Sequence, residues 1–160
     1  MKNLILLSAF VLFVTGCATT YQPQSFTGGF SEARLGENMF RVTFKGNGYS
    51  GTDRVADFVL LRSAELTLEH GFRYFIIAES GKDAKSAIIT TPTTSHTTFY
   101  KGFANTNTYG GQSFIVRKPS ANNTIVLYRD KPEINGIVYD ATFIKKSIKQ
   151  KYGLDKKKIK

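Results

Sequence analysis

Residues 38–45 alternate, with Phe40, Val42 and Phe44 on one side and Arg41, Thr43 and Lys45 on the other. That two-residue period predicts a strand with one face buried. After the turn-forming run Gly46 to Gly51 the period lengthens, and a helix is expected at about 52–70. Ser50 and Asp53 have the spacing of a capping box at its start, and Gly71 suits the left-handed position that ends a helix. The charges of Arg54, Arg62, Glu65 and Glu69 fall in a narrow, exposed arc, with Glu65 and Glu69 placed to pair with Arg62. Val55, Val59, Leu60, Leu61, Ala64, Leu66 and Leu68 cover most of the remainder. One sheet face does not require so wide an apolar arc, so a second cover is expected, from a loop, another helix or a partner.

Phe72 to Ala78 is apolar on both faces, as in a central strand. An extended run starts at Ala87-Ile88-Ile89 and passes into the Thr-rich stretch 90–98, and residues 101–112, rich in Gly, Asn and Thr, read as a long loop. Two strands, Ser113 to Arg117 and Thr124 to Tyr128, are expected to form a hairpin around a turn at Pro119 to Asn123. Asp140 suits the N-cap of a last helix, at about 140–152, carrying Ala141, Ile144, Ile148 and Tyr152 on one face and stopped by Gly153. Only one crossover helix joins strands. The expected fold is therefore α+β: a mainly antiparallel sheet of about four to six strands with both helices packed on it.

The first sixteen residues carry a different pattern. Met1-Lys2-Asn3 is short and basic, and Leu4 to Val14 is apolar except for Ser8. This has the length of a signal-peptide core and is too short to span a bilayer as a helix. Val14, Thr15 and Gly16 precede Cys17, the only cysteine. The run Val14-Thr15-Gly16-Cys17 resembles the lipobox of bacterial lipoproteins. Small residues there fit a peptidase cleft, and the thiol would carry diacylglycerol as a thioether. The expected organisation is a removed signal peptide at 1–16, a lipid-anchored polar linker at 17–29, one domain at 30–153 and a basic tail at 154–160. Several acyl chains on Cys17 would anchor the chain stably where a single chain would be marginal.

Charge sharpens this division. The formal net charge is +10, yet residues 145–160 contain eight lysines and one acid, Asp155. Residues 17–144 hold 13 basic and 11 acidic residues, a net +2. The body is nearly neutral and the basicity is C-terminal. Lys156, Lys157, Lys158 and Lys160 are candidates for contact with anionic lipid or polymer. Nucleic acid is not an expected partner of an exported chain without an aromatic platform beside its basic residues.

Candidate chemistry is sparse. Gly46-Asn47-Gly48-Tyr49-Ser50-Gly51 matches GxGxxG between a strand and a helix, the setting of a dinucleotide site. No further strand–helix alternation follows it, and Asp53 would repel phosphate, so a strand-to-helix turn using positive φ is the expected role. His70 and His96 are isolated, and no metal site, cofactor or catalytic set is expected. Asp57 projects into the apolar arc of its helix, as a carboxylate near the first turn or a perturbed functional group.

Tyr21-Gln22-Pro23, Gly28 to Glu32, Phe40-Arg41-Val42, Gly46-Asn47-Gly48, Arg54-Val55 and Leu60 to Gly71 together resemble a family of small bacterial lipoproteins of unknown function. The resemblance covers about half the chain, and the later half matches loosely, chiefly at Tyr139-Asp140-Ala141. It implies an envelope lipoprotein and no activity. By resemblance to Gram-negative lipoproteins, Ala18 after the cysteine implies the outer membrane, facing the periplasm. The leading expectation is a non-enzymatic binding or structural component, held by its lipid and meeting an envelope protein or anionic polymer. The alternatives are an enzyme acting on cell-wall or lipid substrates through a site at 90–112, near Thr94, His96 or Asn105, and a tail that tethers the domain to an anionic surface. Cys17→Ser should abolish incorporation of labelled fatty acid and move the protein from the membrane to the soluble fraction on cell fractionation; labelled, membrane-bound Cys17→Ser protein would contradict the lipobox reading.

Overall fold

A computed structural model describes residues 18–155. Val14, Thr15, Gly16 and Cys17, and Lys156, Lys157, Lys158 and Lys160, lie outside the described residues. The element order is β1 (Gly29–Arg34), β2 (Met39–Lys45), α1 (Thr52–Glu69), β3 (Tyr74–Thr90), β4 (Thr94–Tyr100), β5 (Phe103–Tyr109), β6 (Ser113–Tyr128), β7 (Tyr139–Asp140) and α2 (Ala141–Tyr152). The main sheet has the order β1-β2-β6-β3-β7, with every neighbouring pair antiparallel. α1 packs on the sheet and α2 packs on α1 next to β7, giving the expected α+β architecture. β2 and β3 both run against β6, so they are parallel to each other, and α1 is the crossover between them.

Alternation in β2 works as expected: Phe40, Val42 and Phe44 are buried while Arg41 and Lys45 are exposed. Opposite them lie Val55, Phe58 and Val59 of α1, with Phe75, Ile125 and Leu127 from the sheet. Phe58 sits where three parts of the chain meet. Its ring centroid is 5.1 Å from Phe44, 5.4 Å from Tyr21 and 4.9 Å from Tyr152, each at a steep interplanar angle. Such edge-to-face contacts add about 0.5–1.5 kcal/mol to the burial of the rings. The second cover that the broad apolar arc demanded is supplied within the chain, by α2 and by the N-terminal segment carrying Tyr21. Ser63 and Thr67, polar yet fully buried on α1, donate their hydroxyls to the carbonyls of Val59 (2.8 Å) and Ser63 (2.7 Å) one turn back.

Helix ends follow the expected signals in three of four cases. Asp140 caps α2, its Oδ1 accepting from the amides of Thr142 (2.9 Å) and Phe143 (3.1 Å). Gly71 and Gly153 both adopt positive φ, 76° and 63°. The amides of Gly71 and Phe72 return to Leu68 and Thr67, and those of Gly153 and Leu154 to Gln150 and Lys149, so both helices end in a Schellman arrangement. The start of α1 is the exception. Its N-cap is Gly51, without a side-chain cap. Ser50 is instead drawn into bonds with Thr19 and Asn47.

Four further expectations are corrected. Residues 18–29 are not a free linker: Thr19 is buried, Tyr21 packs on Phe30 and Phe58, and Pro23 bridges to Phe30. Glycines 46, 48 and 51 do not use positive φ. At Gly46 and Gly48 the constraint is space, since a Cβ would lie 2.7 Å from Ser50 Cβ and 2.6 Å from Val116 Cγ1 respectively.

The third correction is the turn at Pro119 to Asn123. β6 runs straight through it for 16 residues. Pro119 is tolerated because its carbonyl, and with it the missing N–H, faces the β2 side, just past the end of β2, where the Gly46 amide reaches the carbonyl at 2.8 Å. The ladder to β3 loses no donor there. The fourth is the loop at 101–112, most of which is β5. Replacing Phe58 by Ala should destabilise the fold by about 3–5 kcal/mol, read as a lowered denaturant midpoint at unchanged slope; a loss under about 1 kcal/mol would show that the three contacts around this ring are not what joins the layers.

Candidate functional site: the helix clamp and the projecting arm

Charged groups gather on α1, and they are engaged with one another. Arg62 lies with its guanidinium 4.8 Å from the Phe30 ring centroid. It binds both oxygens of Glu32, from Nε and Nη2 at 2.9 Å each, and both oxygens of Glu69, from Nη1 at 2.7 Å and Nη2 at 3.0 Å. Glu65 accepts a short hydrogen bond from the Tyr21 hydroxyl and pairs with Lys149 Nζ at 2.8 Å. The expected Arg62–Glu65–Glu69 pairing is present, but Arg62 and Glu65 are largely covered rather than on an exposed arc. The cluster therefore ties α1 to β1 through Glu32, to the N-terminal segment through Tyr21 and to α2 through Lys149.

Proton affinities follow this geometry. Burial, then the hydrogen bond to Glu65, pushes the Tyr21 phenol far above its ordinary range. The hydrogen bonds from Arg62 hold Glu32 below its usual value, outweighing partial burial. Arg62 is raised by Glu32 first and then Glu69. A tyrosine held protonated and an arginine held charged are suited to structure, not to proton transfer near neutrality.

Asp57 proves to be a second tie between the helices. Its Oδ2 takes a 2.6 Å contact from Lys151 Nζ and a 2.7 Å hydrogen bond from the Tyr152 hydroxyl. The Tyr152 phenol is raised by burial and by Asp57. Arg54 covers the same place, 5.1 Å from the Phe58 ring and 5.3 Å from the Tyr152 ring. Beside Asp57 a shallow cavity of about 210 Å³ opens between α1 and the sheet, lined by Ala56, Leu60, Ile77, Ser80 and Tyr139 among others. Lys149 and Lys151, counted with the basic C-terminal stretch, are thus structural partners of Glu65 and Asp57.

The GxGxxG turn is closed on itself in a similar way. The Asn47 amide donates to Thr19 Oγ1 (2.9 Å) and Ser50 Oγ (3.2 Å), and the Tyr49 amide to Asn47 Oδ1 (3.0 Å). These two amides, which a phosphate would need, are spent within the turn and on Thr19 of the N-terminal segment.

The largest departure from the sequence reading is an arm. Beyond Lys45, where β2 ends, β3 and β6 continue as a two-stranded ribbon, and β4 and β5 prolong it. Three residues on each strand separate Thr90↔Ser113 from Thr94↔Tyr109, so the register is kept. The tip is the two-residue turn Lys101-Gly102, both at positive φ (46° and 83°), which identifies a type I′ hairpin. At ~3.3 Å per residue the run from Ser86 through β4 to Tyr100 reaches at most about 50 Å.

The arm has no core of its own. Ile88, Phe99, Tyr100, Phe103, Tyr109 and Ile115 are each at least two-thirds exposed. Hydroxyls pair across it, Ser95 with Thr108 at 3.0 Å and Thr97 with Thr106 at 2.9 Å. Thr94, His96 and Asn105, the expected lining of a pocket, stand on this open ribbon opposite Tyr109, Asn107 and Thr98. His70 ends α1 with its ring 4.6 Å from Phe40. Among the described residues no group of three or more His, Cys, Asp or Glu side chains is placed to hold a metal, and no helix is long and apolar enough to cross a membrane. No family model, curated protein or solved structure matches the chain.

Because Glu32 is held below its ordinary value of 4.5, the stability it contributes is complete above that value and is lost as pH falls through the lowered folded one. Glu32→Gln should therefore have a lower thermal midpoint than wild type at pH 7, with the two converging on acidification below about pH 4; midpoints differing equally at pH 7 and pH 3 would contradict this.

Proposed function

We propose that this chain is a cell-envelope lipoprotein, anchored through Cys17, that acts without catalysis as a binding or structural component, and that the arm at residues 86–116 is its working surface. The observation that carries the reading is the contrast between the arm and the rest. Arg62, Glu65, Glu69 and Asp57 of the body are engaged with partners in the chain, and its broad apolar helix is covered by α2 and the N-terminal segment. The body's strongly exposed apolar residues, Phe26, Tyr49, Ile137 and Phe143, lie outside its strands, whereas the arm carries Ile88, Phe99, Tyr100, Phe103, Tyr109 and Ile115 on strands with open edges. Isolated two-stranded ribbons are marginal in water, and contiguous exposed apolar surface marks interaction sites. Segments that present such surface on a rigid scaffold are where proteins place function.

The lipobox, the basic start and the apolar run support the envelope assignment, as does the resemblance to small lipoproteins. The sixteen-residue leader would be removed, and Thr19 would begin the folded body almost at the lipid. The arm's openness favours binding over the enzyme alternative, because a two-stranded ribbon does not shield a reacting group from water. A photo-crosslinking amino acid at Phe103 should give a discrete adduct in intact cells. No adduct from Phe103, or adducts formed only from probes on the body such as Phe143, would contradict the proposal.

A further inference from the structure

The arm has a direction, a charge pattern and two open edges, and together these restrict what it can meet. The direction comes from the root. Thr19 is fixed there by its amide to Ser50 Oγ (3.1 Å) and by the Asn47 amide. The same turn touches the arm, Gly46 N–H to the Pro119 carbonyl at 2.8 Å and Gly48 against Val116. Cys17 is two residues before Thr19, at most about 7 Å of chain. A lipid on Cys17 would therefore hold the membrane at the end of the sheet from which the arm leaves.

The charge pattern is that of a segment entering an apolar layer. Between Asp83 and Asp130 the chain contains no acid. The arm's cations stand at its two ends, Lys85, Arg117 and Lys118 at the root and Lys101 at the tip. Residues 86–100 and 102–116 carry no Asp, Glu, Lys or Arg, and His96 is the one titratable imidazole among them. A strand crossing the hydrocarbon core needs about 9–11 residues when tilted. Each side of the arm, 86–100 and 102–116, runs 15 residues in one register, the two sheets being joined by the backbone bonds of Thr91 with Gly111 and Gln112. Phe99, Tyr100 and Phe103 gather at the tip, and Ile88, Ile89, Phe114 and Ile115 near the root. Apolar and aromatic side chains thus flank a stretch dominated by Thr, Ser and Asn.

The edges decide the rest. A ribbon of two strands leaves half its backbone donors and acceptors unpaired, and in hydrocarbon each would cost several kcal/mol. Only a closed barrel removes them. Edge strands exposed to water are commonly blunted by charges, and the distal strands of this arm have none outside Lys101. If arms stand side by side and point the same way, β3 and β4 of one copy face β6 and β5 of the next, and these run antiparallel. Rotation about an axis along the arms repeats that contact until the ring closes.

We infer that the arms of several copies of this chain pair edge to edge into one β-barrel that enters the bilayer holding the Cys17 lipid, each copy contributing one hairpin. This rests on the proposed lipid anchor for its orientation, but edge pairing does not require it. In β4–β5 the face bearing Ser95, Thr97, Thr106 and Thr108, whose hydroxyls satisfy one another, suits lipid. The face bearing His96, Asn105 and Asn107 suits a wet lumen, with Tyr100 and Phe103 closing it at the tip and Tyr109 at the root end of β5. The occupant of the open edges is thus a second copy, not a foreign protein.

The test uses full-length protein extracted from membranes in detergent, beside a variant in which residues 91–112 are replaced by Asn-Gly. Those residues touch no part of the core, so the variant should keep the wild-type thermal midpoint. Light scattering should give one discrete multiple of the protomer mass for wild type and the protomer mass for the variant. A monomeric wild type, a spread of sizes, or a variant that still assembles would overturn the inference. Both proteins are then reconstituted into dye-loaded vesicles of phosphatidylethanolamine and phosphatidylglycerol. Wild type should release dye and the variant should not; a discrete ring that releases none would overturn the entry into the bilayer. Cys17→Ser, run in the same detergent, separates the two ideas. If it assembles like wild type, edge pairing stands whatever the fatty-acid labelling shows. If it is monomeric while wild type forms the ring, edge pairing independent of the lipid is overturned.

Discussion

The body of this protein depends on the burial of one ring. Phe58 lies at the middle of α1 and touches the sheet through Phe44, the N-terminal segment through Tyr21 and the last helix through Tyr152. Aromatic contacts alone would let these layers slide. Ionic ties fix their register around the ring: Glu65 holds Tyr21 and Lys149, and Asp57 holds Lys151 and Tyr152. Because α1 is enclosed from two sides, its near-continuous apolar surface, Val55 to Leu66, is satisfied within one chain. The N-terminal segment is part of this enclosure, so the lipid proposed at Cys17 would be coupled to a rigid body from Thr19 onward.

How much of this was legible follows from where a single residue pattern dominates. β2, α1 and α2 could be read because burial on one side imposes a period, and because Asp140, Gly71 and Gly153 mark helix ends. The clamp was half legible. Arg62 with Glu65 and Glu69 is a local pairing on one helix, but Glu32, Tyr21, Lys149 and Lys151 come from distant positions that no local spacing reveals. The Ser50 capping signal failed because tertiary partners, Thr19 and Asn47, competed for its hydroxyl. Pro119-Ser120-Ala121-Asn122-Asn123 has turn composition, yet the long pairing of β3 with β6 overrides it once Pro119 faces the end of β2.

The arm was the hardest to read for a physical reason. A ribbon exposed on both faces has no buried side to impose alternation, so the two-residue period is absent from 90–112. What remains is β-propensity, in Thr, Phe, Tyr and Ile, against Gly, Asn and Pro that signal loop. The Lys101-Gly102 tip is also a weaker hairpin signal than Asn-Gly. The envelope signal and the arm are complementary clues. One concerns where the chain is held, and the other a surface unsuited to water.

The central claim, that the arm pairs with copies of itself in a bilayer, makes a direct statement about backbone hydrogen bonds. Amide hydrogen exchange should be followed by mass spectrometry across residues 86–116, comparing full-length protein in vesicles with a soluble form lacking the leader and carrying Cys17→Ser, diluted until monomeric. The account predicts partial, short-lived protection of the arm in the dilute soluble form and protection along both strands in vesicles, approaching that of β2 and β6 in the sheet. Equal, weak protection of the arm in both forms would contradict it.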